Sequence, residues 1–181
     1  MRFATKAIEL GDITLRRFRP SDYFYIIKWI GKIEINHFFT NRGKPKSKKE
    51  ALSIVLKSSV KYFVRKNFYC WAIIVDGKPN GIIRRIENKD KNDKKCFIHY
   101  FVNSDYWGRG ICSTALSGVI ACLKADGFDR IYASCDVENK ASERVMQKAG
   151  MVKLKTYKNS YKYANGDVSD RVYYKYPQSI S

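Results

Sequence analysis

Residues 13–19 alternate between apolar and polar positions, which predicts a strand. After Pro20 the pattern changes, and residues 21–30 read as a helix. Ser47 and Glu50 carry the signature of a capping box ahead of apolar residues Leu52, Val55, Leu56 and Val60, so a second helix is predicted to start there. Residues 71–75 and 81–86 read as strands, with Asp76-Gly77 between them as a hairpin signal. A charged stretch over 88–95 reads as a turn and 97–102 as a further strand. Gly108-Arg109-Gly110 opens a helix that runs to about Asp126 and is stopped by Gly127. A strand over 131–135, a short helix over 139–149 stopped by Gly150, and two strands over 152–157 and 171–176 complete the chain. The order β-α-α-β-β-β-α-β-α-β-β predicts an α/β (α+β) architecture in which helices pack on a mixed sheet. No repeat and no low-complexity linker divides it, so residues 1–181 are expected to form a single domain, with the basic stretch 41–49 as a surface loop.

Composition narrows the class. Hydrophobic residues make up 45% of the 181, and 13 Tyr, 10 Phe and 3 Trp are far too many for a disordered chain. The longest apolar run, 115–123, is broken by Ser117 and too short to cross a membrane. The N-terminus has no apolar signal core, which points to the cytoplasm. Five cysteines with no CxxC spacing argue against a disulfide framework, and with only His37 and His99 they argue against a metal site. The net charge is +18, densest in residues 1–66, which hold 16 basic and 5 acidic residues. That balance suits an acidic or nucleic-acid-associated partner, and equally a chain with solvated lysine faces.

The chemistry concentrates where the strand 97–102 runs through Gly108-Arg109-Gly110 into a helix. Glycines let a ligand approach the backbone, and the helix N-terminus supplies free N–H groups and a favourable dipole for a pyrophosphate. A dinucleotide fold would need a third glycine where Ser113 stands, and a phosphate-binding GK[ST] loop is absent.

The segment Asp136-Val-Glu-Asn139-Lys-Ala-Ser142-Glu-Arg-Val-Met146-Gln-Lys-Ala-Gly150, about 26 residues beyond Tyr106-Trp-Gly-Arg-Gly110, completes a pair of linked motifs. Together they resemble the GNAT N-acetyltransferase superfamily, and within it the ribosomal-protein N-terminal (alanine) acetyltransferases, whose wording is like YWGKGYATEAL followed by N-x-A-S-x-x-V-x-x-K-x-G-F. The likeness extends over nearly the whole chain, from Ile13 to Asp22 as first strand and helix start and through residues 71–81 as the central hairpin. It implies the GNAT fold, with a mostly antiparallel mixed sheet and about four flanking helices, and acetyl-CoA as donor by direct transfer to an amine.

The resemblance places the cofactor on Trp107, Gly108, Arg109, Gly110, Ile111, Cys112, Ser113 and Thr114. Trp107 replaces the usual Gln or Arg, and Cys112 a smaller residue. A nucleophilic role for Cys112 would be favoured by the helix N-terminus, but the family transfers acetyl directly. The backbone of Phe101, Val102 and Asn103 is implied to pair with the pantetheine arm, one amide steadying the oxyanion. Asn139 caps the next helix, touches the cofactor, or does both. Many relatives place an acidic Tyr where Met146 stands, and Ser142 matches the subfamily's serine as proton donor or is simply a helix-start serine. Phe97 occupies the usual position of a glutamate base. His99, on the same strand face, titrates near neutrality and is a candidate base or a satisfied core residue, with Glu87 and Glu138 acting through water as fallbacks.

A weak base suffices for an α-amine, whose pKa of about 7.7–8.0 lies well below about 10.4 for lysine. The expected acceptor is therefore a protein N-terminus, ribosomal by the resemblance, with a small-molecule amine as the alternative. A basic RNA- or ribosome-binding protein without chemistry is a further one, and the resemblance implies that Lys44, Lys46, Lys48 and Lys49, near Arg42, line one wall of the acceptor groove. The C-terminal tyrosines, interleaved with lysines, suit either sheet packing or nucleotide stacking. Oligomeric state is left between monomer and homodimer.

Overall fold

The computed structural model describes residues 5–36, 47–64, 68–86 and 94–177. Eight strands form one sheet: β1 (Ile8–Leu10), β2 (Ile13–Arg16), β3 (Cys70–Val75), β4 (Lys78–Ile86), β5 (Lys95–Val102), β6 (Arg130–Asp136), β7 (Val152–Lys162) and β8 (Val168–Lys175). Their order across the sheet is β1-β2-β3-β4-β5-β6-β8-β7, antiparallel at every step except β5 against β6. The helices are α1 (Tyr23–Ile26), α2 (Ile33–Asn36), α3 (Lys48–Val64), α4 (Ile111–Ala125) and α5 (Lys140–Lys148). The mixed sheet with flanking helices is the fold expected.

Two cores lie on the two faces of the sheet. Trp71, Ile73 and Val75 join residues of α4 and α5 in one, and Cys70, Ala72 and Ile74 join residues of α1 and α3 in the other. Covering on both faces explains why β3 is a continuous apolar run, Cys-Trp-Ala-Ile-Ile-Val, rather than an alternating one. The expected punctuation is present. Asp76 and Gly77 both take positive φ (52° and 71°), the geometry of a two-residue hairpin between β3 and β4. The Ser47 amide donates to Glu50 Oε2 (2.8 Å) and the Glu50 amide to Ser47 Oγ (3.3 Å), a reciprocal capping box.

Several elements differ from the sequence reading, among them α2, which it did not contain. The strand β1, too short to show a period, is folded back on β2 by a turn at Gly11 (φ +67°). A Cβ on Gly118 of α4 would meet Leu10 Cδ1 at 2.7 Å, so that glycine lets the helix approach β1. The helix expected over 21–30 shrinks to a 3-10 turn at Pro20–Asp22, the four residues of α1, and turns onward to Gly31. A run of Tyr, Phe, Tyr and Ile has poor helix propensity, and burial of Ile26, Trp29 and Ile30 holds the segment instead. At its head, buried Asp22 takes two hydrogen bonds from Arg16 (2.8 Å each) and one from the Arg19 amide (2.8 Å). Strand β7 also runs past the expected 157 to Lys162.

The expected loop residues Arg42, Lys44 and Lys46, together with His37 and Glu87, lie outside the described residues; Lys48 and Lys49 are exposed in the first turn of α3. All five cysteines are free thiols. Among the described residues no helix is long and apolar enough to cross a membrane.

Candidate active site

The parallel pairing of β5 and β6 covers three positions only, Lys95 with Arg130, Cys96 with Ile131 and Phe97 with Tyr132. Beyond Phe97 the strands separate, and the wedge between them opens into a cavity of about 410 Å³. Tyr100, Phe101 and Val102 form one wall, the turn residues 106–108 and 110–113 another, Asn139 and Ser142 a third, and Glu34 and Ile35 of α2 reach it from the far side of the sheet, whereas the expected Arg109 and Thr114 are not among the lining residues. Lys32 donates to Asp105 Oδ1 (2.6 Å), tying the segment before α2 to the turn after β5.

Successive residues of a strand direct their backbone N–H and C=O groups to opposite edges. The Asn103 amide donates to Asn80 O (2.7 Å), and a Cβ on Gly81 would meet Phe101 O at 2.7 Å, so both residues present their backbone to β4. Val102 faces the wedge: its carbonyl accepts from Trp107 Nε1 (2.9 Å), and its amide points the same way. Of the three residues expected to meet the pantetheine, Val102 is the one whose amide the strand geometry turns into the cavity.

At the wedge mouth Gly108 and Gly110 take positive φ of 78° and 76°, and Gly110 caps α4. A Cβ would meet nothing within 4 Å at Gly108 and only Ser113 Oγ at 3.9 Å at Gly110, so the glycines are there for conformation and approach rather than for internal packing. The Ser113 hydroxyl turns back to Gly110 O (2.7 Å), and Thr114 N closes the first helical bond on Gly110 O (3.0 Å). The amides of Ile111, Cys112 and Ser113 precede that bond and are the orphan donors of the helix start. Arg109 lies over the Tyr106 ring at 4.9 Å.

Asn139 caps α5 by accepting from the Ser142 amide (3.0 Å). This fixes Ser142, whose Oγ lies 2.9 Å from the Tyr100 hydroxyl; the same hydroxyl is 3.1 Å from Ser142 O. Burial pushes the Tyr100 phenol far above its ordinary pKa. Burial likewise pushes the Cys112 thiol up to about 12, against the pull of the helix terminus, so it is neutral at physiological pH. Met146 is fully buried in the core beneath α5.

Ser142 and His99 are not brought together. The pairing of β5 places His99 opposite Arg84 on the α1–α3 face, between Phe97 and Phe101, whereas Tyr100 points to the α4–α5 face, and His99 is not among the residues lining the cavity. Phe97 stacks on Tyr132 (5.3 Å) where the two strands still pair. Glu138 lies on the α5 side of the sheet, in the turn after β6, where its amide donates to Asp136 Oδ1 (2.9 Å).

Sequence reading passed over Tyr100, Glu34 and the two cations Arg144 and Lys148. The i, i+4 spacing of Arg144 and Lys148 puts them on one stripe of α5, and that stripe lines the cavity. Among the described residues, Glu34 is the sole carboxylate that lines the cavity. A long anionic thioester fits this chamber: an unpaired strand edge lies along it, and glycines without Cβ, a helix N-terminus and two cations lie at its mouth.

A family profile for the acetyltransferase (GNAT) domain matches residues 12–152. Comparison with curated proteins gives no match. Among solved structures, a GNAT-family acetyltransferase from Bacillus anthracis superposes with a TM-score of 0.78 at 21% identity, covering 94% of this chain and 97% of that one. The ribosomal-protein-S5-alanine acetyltransferase from Vibrio fischeri gives 0.78 at 18%, covering 97% and 98%. RimL, the ribosomal L7/L12 α-N-protein acetyltransferase in complex with coenzyme A, gives 0.82 at 18%, covering 97% and 100%.

Proposed function

The chain belongs to the GNAT acetyltransferase family, and we propose that it acetylates the α-amine of a protein N-terminus, with a ribosomal protein as the first candidate. It is an N-acetyltransferase, and acetyl-CoA is its donor. The observation that carries the reading is the wedge between β5 and β6, which brings a backbone amide, a hydroxyl and an anion-holding glycine turn to one cavity.

Acetyl-CoA supplies an activated thioester carbonyl and, once the acetyl group has moved, a thiolate that must take up a proton. The chain's own groups then have separate tasks. The amides at the start of α4, with Arg144 and Lys148, hold the phosphates. The Val102 amide, turned into the cavity, would donate to the negative charge that develops on a thioester carbonyl oxygen bound there, and it would be effective because it is fixed before the reaction. Ser142 Oγ provides the proton to the departing sulfur. Asn139 holds Ser142 by its amide and needs no contact with the cofactor to matter.

For the acceptor, the cavity offers one carboxylate among the described residues, the exposed Glu34 of α2. That is sparse equipment for deprotonating a lysine. An α-amine, with a pKa of about 7.7–8.0, is substantially neutral at physiological pH and asks for little help. The similarity to two ribosomal-protein acetyltransferases, one of them described as an α-N-protein acetyltransferase, supports the same reading. The cytoplasm and a ribosomal partner follow from that acceptor, and the +18 charge suits a target embedded in RNA.

The test is CoA release with acetyl-CoA over an array of N-terminal peptides, the same peptides with blocked N-termini, and a panel of polyamines and amino-sugars. Turnover confined to free N-termini is expected. Turnover on small amines alone overturns the acceptor class, and no turnover with intact CoA binding supports a binding protein instead.

A further inference from the structure

We propose that Tyr100 is a positioning residue for Ser142, donating its phenolic hydrogen to Ser142 Oγ so that the serine's own proton turns into the cavity. This rests on the reading of Ser142 as proton donor. The two residues are 42 apart in sequence and meet only because α5 folds over the open half of β5.

A phenol has one hydrogen to donate, and two acceptors lie in reach of Tyr100: Ser142 O at 3.1 Å and Ser142 Oγ at 2.9 Å. If Tyr100 donates to the carbonyl, Ser142 can spend its hydrogen on the phenol oxygen, and nothing is left for a ligand. If Tyr100 donates to Oγ, the serine hydrogen is released from the phenol and is open to a ligand in the wedge, against which the neighbouring Cys135 thiol is only a weak acceptor, and the donated bond stabilises Oγ as its proton leaves. The phenol stays a donor across the working pH range. Its hydroxyl is faced by Ser142, Cys112 and Cys135, and burial holds both thiols in the neutral form, with Cys135 pushed up to about 11 and Cys112 to about 12. The Asn139 cap holds the Ser142 backbone by its amide at 3.0 Å, and from that fixed point the side chain faces Tyr100 at 2.9 Å.

The step balances without moving the tyrosine's proton. The C–N bond forms and the C–S bond breaks with its electron pair on sulfur. Sulfur takes the Ser142 Oγ proton, the amine nitrogen releases one proton to solvent, and Ser142 regains one from solvent. Tyr100 keeps its hydrogen throughout and acts only through Ser142.

The experiment is a double-mutant cycle with Tyr100→Phe, Ser142→Ala and the pair, each measured for kcat, acetyl-CoA KM, calorimetric CoA affinity and thermal midpoint. Tyr100→Phe should lower kcat about tenfold, the worth of one hydrogen bond made in the transition state, about 1.4 kcal/mol. The KM, the CoA affinity and the fold should hold, because the ring remains. In the Ser142→Ala background the same change should cost no further activity. Equal fractional losses in both backgrounds, or a Tyr100→Phe enzyme with wild-type kcat, overturns the assignment of Tyr100. If Ser142→Ala itself keeps wild-type kcat, the reading of Ser142 falls first, a result that the Tyr100 arm alone cannot produce.

Discussion

Two glycines near the wedge separate binding from stability. Gly110 takes a φ of +76°, and an added Cβ would meet nothing nearer than Ser113 Oγ at 3.9 Å. Gly110→Ala therefore introduces left-handed strain of about 1–2 kcal/mol and no clash. For a chain of this length that is a fall in Tm of roughly 2–8 °C. The larger effect is on the ligand, because the new methyl stands where phosphates must approach the amides of α4. CoA affinity should drop at least about tenfold, or about 1.4 kcal/mol. Gly81 is the control. Its Cβ would lie 2.7 Å from Phe101 O, backbone that the sheet holds in place, and 3.0 Å from side chains on β3 and β5. Gly81→Ala should cost about 1–3 kcal/mol in stability through overpacking and, because it presses on Phe101 and Val102 of the cavity wall, lower CoA affinity by less than Gly110→Ala does, at a temperature where it is folded. Calorimetric titration with CoA, paired with thermal melts, reads both quantities. A Gly110→Ala protein that shows the strain in its Tm and still binds CoA like wild type refutes the phosphate site.

Other expectations follow from single contacts. Asp22→Ala leaves Arg16 without its carboxylate in a buried setting and should destabilise by about 3–5 kcal/mol, visible in urea unfolding. Cys112 has a folded pKa of about 12 against an ordinary 9.0, so the fold favours its neutral form; that stability is complete below pH 9 and lost as pH rises toward 12. Cys112→Ala should accordingly soften the alkaline fall in Tm while keeping kcat within about threefold, since the thiol has no chemical task. Lys48→Glu with Lys49→Glu should raise the acceptor KM and flatten its dependence on salt, with the acetyl-CoA KM unmoved; unchanged constants at low and high salt would leave those lysines as a solvated helix start.

Much of this architecture was legible in local signals. The hairpin at Asp76-Gly77, the capping box of Ser47 and Glu50, and the glycine turn before α4 each depend on a few adjacent residues whose chemistry allows little else. Short β1 carried no period, and α1 frayed because packing of Ile26, Trp29 and Ile30 rather than propensity decides that segment. The site was legible only where a linear motif spells it out, as with Gly108-Arg109-Gly110 and Asn139 to Ser142. Tyr100 sits one residue from His99 in the sequence yet on the opposite sheet face, and which face met α5 depended on how β5 and β6 diverge. The register of β5 on β4 decides that Val102, rather than Phe101 or Asn103, turns its amide to the cavity. Glu34 reaches the wedge from a helix of four residues, which no periodicity could have announced.

The most direct test of the central claim is to incubate the protein with acetyl-CoA and a peptide bearing one free α-amine and one lysine, and to locate the acetyl group by mass spectrometry in wild type and in Ser142→Ala. The account predicts acetyl on the α-amine alone, with the rate in Ser142→Ala down by about 10²–10⁴ and CoA affinity unchanged. Acetyl on the lysine, or a Ser142→Ala rate equal to wild type, would contradict it.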